Sequence, residues 1–176
     1  MRRILTALLL IGGLVQAAIT SPSGASVLVS MQGSAGLHIE GSTHELAISE
    51  NDGELVFQVP LSGLDTGIGL RNRHLRSFLD VAHFPEAELR VPRMAVIFPA
   101  PGKAAEADAV GTLNLHGITR PCSVHYRAEQ GSSGEVRVRG TLRIDMRDFG
   151  IETPSYLGVH VDPAVAVQVD FSVHAP

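Results

Sequence analysis

The sequence predicts an all-β domain, an extended antiparallel β-barrel with one short helix at its mouth. Three observations lead there. Apolar and polar residues alternate from Ser26 onward, turn residues cut that alternation at short intervals, and one stretch between residues 64 and 85 departs from it. In the run from Glu135 to Arg147, Val136, Val138, Leu142, Ile144 and Met146 share one face, while Arg137, Arg139, Arg143, Asp145 and Arg147 share the other. The final run sets Val165, Val167, Val169, Phe171 and Val173 against Gln168, Asp170, Ser172 and His174. Leu55, Phe57 and Val59 behave alike, as do Leu113 with Leu115, and Cys122 with Val124 and Tyr126. One dry face and one wet face is the signature of antiparallel strands.

Turn signals at Gly33, Gly41, Asn51-Asp52-Gly53, Pro99 to Gly102, Gly117 and Gln130 to Gly134 divide the chain into about eight strands. Pro101 to Asp108 reads as a loop or hairpin tip. Ten residues of strand at about 3.4 Å each reach roughly 34 Å, long for a small sandwich but suited to a tall barrel. The dry faces are chiefly Val, Leu and Ile, and the chain has no Trp. Thin aliphatic walls leave space along the barrel axis, although small barrels also fill their interiors with side chains. Both a hollow and a packed interior follow from the pattern.

The first residues stand outside this domain. Arg2-Arg3, the apolar run Ile4 to Val15 and the small residues of Val15-Gln16-Ala17 read as a secretory signal peptide over residues 1–17. The run is short for a membrane span. Residues 18–176 then form one barrel domain, expected to be periplasmic or secreted. Cys122 is the single cysteine, so no internal disulfide forms and stability rests on packing. The formal charge is −4, and without Arg2 and Arg3 the remaining 12 basic residues against 18 acidic ones give −6. That sign argues against nucleic acid and against broad adsorption to anionic lipid, because phosphate contacts need cationic surface.

The segment Leu64 to Pro85 carries the candidate chemistry. Asp65 or Thr66 would satisfy backbone N–H groups in the turn around Gly67. Leu70, Leu75, Phe78 and Leu79 fall at helical spacing for an inward face, and Arg71, Arg73, Arg76 and His74 make a cationic side. Arg71, Arg73 and His74 would recognise a phosphate, carboxylate or carbonyl head group at the mouth. Alternatively the helix only plugs one end and its charges face water.

Other chemistry finds less support. The eight histidines, His38, His44, His74, His83, His116, His125, His160 and His174, show no metal-ligand spacing, so no metal and no cofactor is expected. No nucleophile motif or close carboxylate pair is present, and Cys122 shares the dry face with Val124 and Tyr126 as a core thiol. Arg147-Asp148 ahead of Gly150 reads as an ion pair at the barrel rim. Catalysis is not expected; an enzyme acting on a lipidic substrate, with His74 or His83 as general base, is the alternative.

Three motifs in order, LDTGIGLRNRHLRSFLDVAHFPEAEL, GTLNLHGITRPCSV and GTLRIDMRDFGI, resemble the hallmarks of the YceI-like family over about half the chain. The resemblance implies a lipocalin-like barrel with an axial apolar tunnel that binds a polyisoprenoid, an isoprenoid quinone, or a fatty acid or amide. It implies that Asp65, Thr66, Arg71, Asn72, His74, Phe84 and Pro85 shape the helix side of the mouth, and that Phe149 and Gly150 close the late strand. Asn72 stands where the family often has Asp. The expected function is therefore an exported carrier or sequestering protein, with a packed interaction module as a further alternative. The expected ligand contacts are Leu55, Phe57, Leu64, Asp65, Thr66, Arg71, Asn72, His74, Leu75, Phe78 and Phe84 from the first half of the chain. Leu113, Leu115, Val124, Tyr126, Leu142, Ile144, Phe149, Val167 and Val169 complete them from the second. The partner is a long-chain apolar small molecule, without stable membrane insertion, and an apolar mouth leaves homodimer formation open.

Overall fold

Alternation at period two becomes one curled antiparallel sheet. In a computed structural model, residues 22–156 and 158–174 are described; the expected signal peptide lies outside them. The strands are β1 (Ser23–Gly33), β2 (His38–Thr43), β3 (Ala47–Asn51), β4 (Glu54–Pro60), β5 (Glu86–Pro92), β6 (Ala104–Leu115), β7 (Ile118–Gln130), β8 (Glu135–Asp145), β9 (Ser155–Tyr156) and β10 (Val159–His174). Nine of them pair in the order β2-β1-β10-β8-β7-β6-β5-β4-β3, and β9 adds a short ladder to β10. The described residues thus hold ten strands where turn signals predicted about eight. Extra pieces come from the break between β2 and β3 and from the two-residue β9.

The way the sheet curls follows from strand parity. Direction reverses at each step of the nine-strand path, so the two edge strands, β2 and β3, point the same way. An antiparallel ladder cannot join them. Instead His44–Leu46 carries the chain from Thr43 at one edge to Ala47 at the other, and four Cα steps of 3.8 Å keep these ends within about 15 Å. The result is a curled half-barrel at the level of hydrogen bonds, whose two edges one chain segment ties together. Asp65 fills the seam: its N–H donates to the Ser42 carbonyl and its carbonyl accepts from the Ser42 N–H, both at 2.9 Å. His44 Nδ1 donates to the Ala25 carbonyl at 2.8 Å beside it. These contacts occupy backbone groups that a bare edge would expose.

The strand β6 begins at Ala104, inside the stretch expected to be a loop to Asp108. Alanine and acidic residues have weak strand preference. Here the ladder to β7, running from Ala104 opposite Glu129 to Leu115 opposite Ile118, overrides it. The irregular tip is confined to the residues before it.

The buried face forms two clusters. Leu61, Leu64, Leu79, Leu115, Met146, Phe149, Ile151 and Val161 pack at the end that carries the helix α1 (Gly69–Phe78). Val91, Ala109, Tyr126, Ala128 and Val136 pack toward the other end. The outer face is charged and paired: Arg137 and Arg139 meet Asp170, Arg127 meets Glu129, and His125 meets Asp108. Arg147 pairs with Asp145 rather than with Asp148, because the Asp145 side chain already accepts from the Arg147 N–H at 2.9 Å.

Candidate functional site

The inward side chains of the curled sheet leave a cavity of about 520 Å³. That falls within the roughly 300–1,000 Å³ of sites that hold drug-sized ligands. It runs from Met31, Met146 and Ile151 at the helix end to Val136, Val173 and His174 at the far end. Its wall is chiefly aliphatic because β1, β4, β5, β7, β8 and β10 turn their period-two apolar faces inward, while β3 adds Ser49 and Glu50 beside Ile48. Val165, Val167, Val169, Phe171 and Val173, all from β10, line it along its length.

Thirteen of the expected ligand contacts face this cavity. Leu55, Phe57, Leu64, Thr66 and Leu75 do so from the first half of the chain. Leu113, Leu115, Val124, Tyr126, Leu142, Ile144, Val167 and Val169 do so from the second. Asp65, Arg71, Asn72, His74, Phe78, Phe84 and Phe149 do not line it. Asp65 and Asn72 instead bind each other across the turn that starts α1. Phe84 lies 4.7 Å from the His116 ring and packs over Gly117, where a Cβ would come within 2.6 Å of its ring. Phe149 is buried in the helix-end cluster, and its carbonyl accepts from His116 Nδ1 at 3.1 Å. These two aromatics fasten the β6–β7 turn to the end of the barrel.

The helix is turned differently from its expected orientation. Leu75 and Leu79 face the cavity, but Leu70 is 57% exposed and Phe78 43%. At about 100° per residue, Asn72, Leu75 and Leu79 share one side, and the bond from Asn72 to Asp65 fixes that side toward the sheet. Leu70 then lies about 160° away and Phe78 about 80° away. The cationic side goes with them: Arg73 and His74 are exposed, and Arg76 donates to the Ser62 carbonyl at 3.3 Å.

Three ionisable side chains outside the expected contacts reach the cavity. Glu50, Arg93 and His174 line it among the described residues, at the end opposite α1. Glu50 lies near the β3–β4 turn and Arg93 directly after β5. The Arg93 guanidinium stacks over Phe98 at 3.7 Å and stands 3.9 Å from Glu50. Arg93, Val96, Ile97 and Phe98 belong to the irregular connection between β5 and β6, which folds over this end. The Ile97 N–H donates to the Tyr126 hydroxyl at 2.7 Å, so a lumen side chain pins that connection. An irregular connection carries no periodicity, so no local pattern points to these residues. Val27, Val29 and Met31 were legible as alternation in β1.

Titration is perturbed outside the cavity. The Asn72 amide and the Gly67 N–H hold the Asp65 carboxyl below the usual carboxylate range. Burial pushes the half-buried Cys122 thiol up, away from the reactive thiolate. Among the described residues, no three His, Cys, Asp or Glu side chains converge as metal ligands.

Comparison with known proteins agrees with this architecture. A polyisoprenoid-binding domain from Saccharophagus degradans, implicated in plant cell wall breakdown, superposes with a TM-score of 0.74 at 19% identity, covering 90% of this chain and 98% of that one. Burkholderia cenocepacia BcnA superposes with a TM-score of 0.66 at 16% identity, covering 85% and 96%. A UPF0312 protein of Pseudomonas savastanoi pv. phaseolicola is 30% identical over 106 residues, 55% of this chain and 52% of the relative. The chain thus spans about half the length of the curated relatives it matches. The model of the YceI-like domain matches residues 21–173, nearly the whole described sheet. With the three motifs distributed along that same span, the chain belongs to the YceI-like family.

Proposed function

We propose that this protein sheathes a long apolar chain in its cavity, as an exported carrier or sequestering protein for a polyisoprenoid, an isoprenoid quinone, or a fatty acid or amide. One observation carries the reading: an aliphatic cavity of about 520 Å³ whose ionisable lining among the described residues, Glu50, Arg93 and His174, is confined to one end. Such a distribution suits an amphiphile with its tail toward α1 and its head toward Arg93. The polyisoprenoid binding ascribed to the Saccharophagus degradans domain supports the ligand class. The signal-peptide pattern expected over residues 1–17, with its apolar run Ile4 to Val15, supports export.

Burial of one CH₂ contributes about 0.8 kcal/mol, so fifteen carbons give roughly 12 kcal/mol gross. Immobilising the ligand costs several kcal/mol, which leaves affinity near the micromolar range, about −8 kcal/mol. Short acids fall below that threshold, so chain length itself selects the ligand. His74 and His83, the bases of the enzyme alternative, stand outside the cavity wall, which favours binding over turnover.

The test is uptake of a fluorescent polyene fatty acid by delipidated protein. Leu113→Arg and Ile144→Arg should abolish uptake, and Val167→Phe, which fills volume without adding charge, should weaken it. Equal uptake by folded variants and wild type overturns an interior site. Native mass spectrometry of protein purified without detergent gives a second readout, since a carrier retains added mass of lipid size.

A further inference from the structure

We infer that the outer face of α1 is a docking surface for an anionic lipid bilayer. Leu70, His74 and Phe78 succeed one another at i, i+4 and i+8, forming one stripe along the helix. Arg73 and Ser77 flank the stripe on one side and Arg71 on the other. Ile68, 49% exposed, extends the apolar surface at the start of the helix. Large apolar side chains interleaved with arginines on one exposed face are the composition of helices that lie in a membrane interface.

Charge selects the occupant. The outer face of the helix carries Arg71 and Arg73 and no acidic residue, a local +2 on a protein of formal charge −4; Arg76 lies on the opposite side and donates to the Ser62 carbonyl, and Asp65 and Asp80 flank the segment. Among the described residues, none of the ion pairs engages Arg71 or Arg73; the pairs lie on the strands, in the segments that directly follow β5 and β8, and in the Asp80–His83 turn. A second copy of the chain meets this face poorly, because two-fold pairing brings Arg71 and Arg73 against their own equivalents. An anionic head-group layer complements them, at about 1 kcal/mol per arginine near the surface. The acidic remainder of the protein opposes broad adsorption, so contact is local and reversible.

The same helix presents Leu75 and Leu79 to the cavity from its other side. A bilayer held against Leu70 and Phe78 is therefore one helix diameter from the apolar lumen. Docking stands on the surface alone and does not require the cavity to hold lipid.

The experiment is co-sedimentation of the purified protein with phosphatidylcholine vesicles, with and without phosphatidylglycerol, over a salt series. Binding is expected only with phosphatidylglycerol and should fall as salt rises. Arg71→Glu with Arg73→Glu should lower it at least about tenfold, and Leu70→Ser with Phe78→Ser should also lower it; all four positions lie outside the cavity wall, and melting curves check the fold. Wild-type protein that stays in the supernatant, or variants that bind as wild type does, overturns the inference. So does a lipid-independent dimer, seen by analytical ultracentrifugation, that the Leu70→Ser, Phe78→Ser variant abolishes. Polyene uptake is measured on the same samples: lost uptake with retained sedimentation counts against the carrier reading alone, and the reverse counts against docking alone.

Discussion

Asn72 and Asp65 form a reciprocal clasp across the turn that starts the single helix. Asn72 Nδ2 donates to Asp65 Oδ1 at 2.7 Å, and the same oxygen accepts from the Gly67 N–H at 2.8 Å. Asn72 Oδ1 accepts from the Thr66 N–H at 2.8 Å and from the Thr66 hydroxyl at 2.6 Å. Because Asp65 also bridges Ser42, the clasp couples helix orientation to the seam between β2 and β3. In this chain Asn72 uses both the donor and the acceptor of its side-chain amide.

Asn72→Ala should therefore lower the melting temperature at pH 7 by about 3–8 °C. Asp65's depressed pKa means that its contribution is fully present above the ordinary carboxylate range and fades as pH falls through the lowered value. The difference between wild type and Asn72→Ala should accordingly narrow below about pH 4. Asn72→Asp keeps the acceptor but sets a second carboxylate against Asp65. It should be less stable than Asn72→Ala at pH 7 and recover on acidification, when one carboxyl takes a proton and can donate. Melting curves across pH for the three proteins check both slopes.

Tyr126→Phe removes the acceptor of the Ile97 N–H while leaving the aromatic wall in place. The expected loss is about 1–2 kcal/mol in chemical denaturation. Hydrogen exchange should quicken at residues 96–98 and stay unchanged in β8. Uniform exchange across both regions would show that the hydroxyl does not anchor the connection.

Gly111→Ala tests a close approach of two backbones. A Cβ at position 111 would lie 2.3 Å from the Arg90 carbonyl oxygen, so β5 and β6 must separate where Leu89 pairs with Leu113. Overpacking of this kind costs about 1–3 kcal/mol. Unfolding midpoints in urea measure it.

His125 should titrate above an ordinary histidine. Asp108 bonds its Nδ1 at 2.9 Å and Glu106 stands 3.2 Å from Nε2, and both favour the imidazolium. Its stabilising effect is then full below about pH 6.5 and lost as pH rises through the raised folded value. A proton NMR titration should place the wild-type midpoint above that of Asp108→Asn. Coincident midpoints would show that the pairing is not kept in solution.

The two ends of the cavity show how far the sequence could be read. Along β8 and β10, alternation named the inward residues, because a pleated strand leaves no freedom in which face a side chain takes. Leu142, Ile144, Val167 and Val169 therefore line the cavity as the pattern required. On α1 the apolar positions were spread too broadly around the helix to fix its rotation. The clasp chose Leu75 and Leu79 over Leu70 and Phe78, and so put the cationic side in solvent. At the far end, Arg93 and Glu50 meet through a turn and an irregular connection that periodicity does not cover.

By itself the sequence determined the class of fold, the aliphatic lining of its long strands and the family, because each is written in local spacing that survives any arrangement of the rest. Only the tertiary structure decided the odd-stranded path tied edge to edge by His44–Leu46, the rotation of α1, and which charges enter the cavity. Those depend on contacts between residues far apart in the chain, such as Ser42 with Asp65 and Ile97 with Tyr126, and no local pattern encodes a partner that distant.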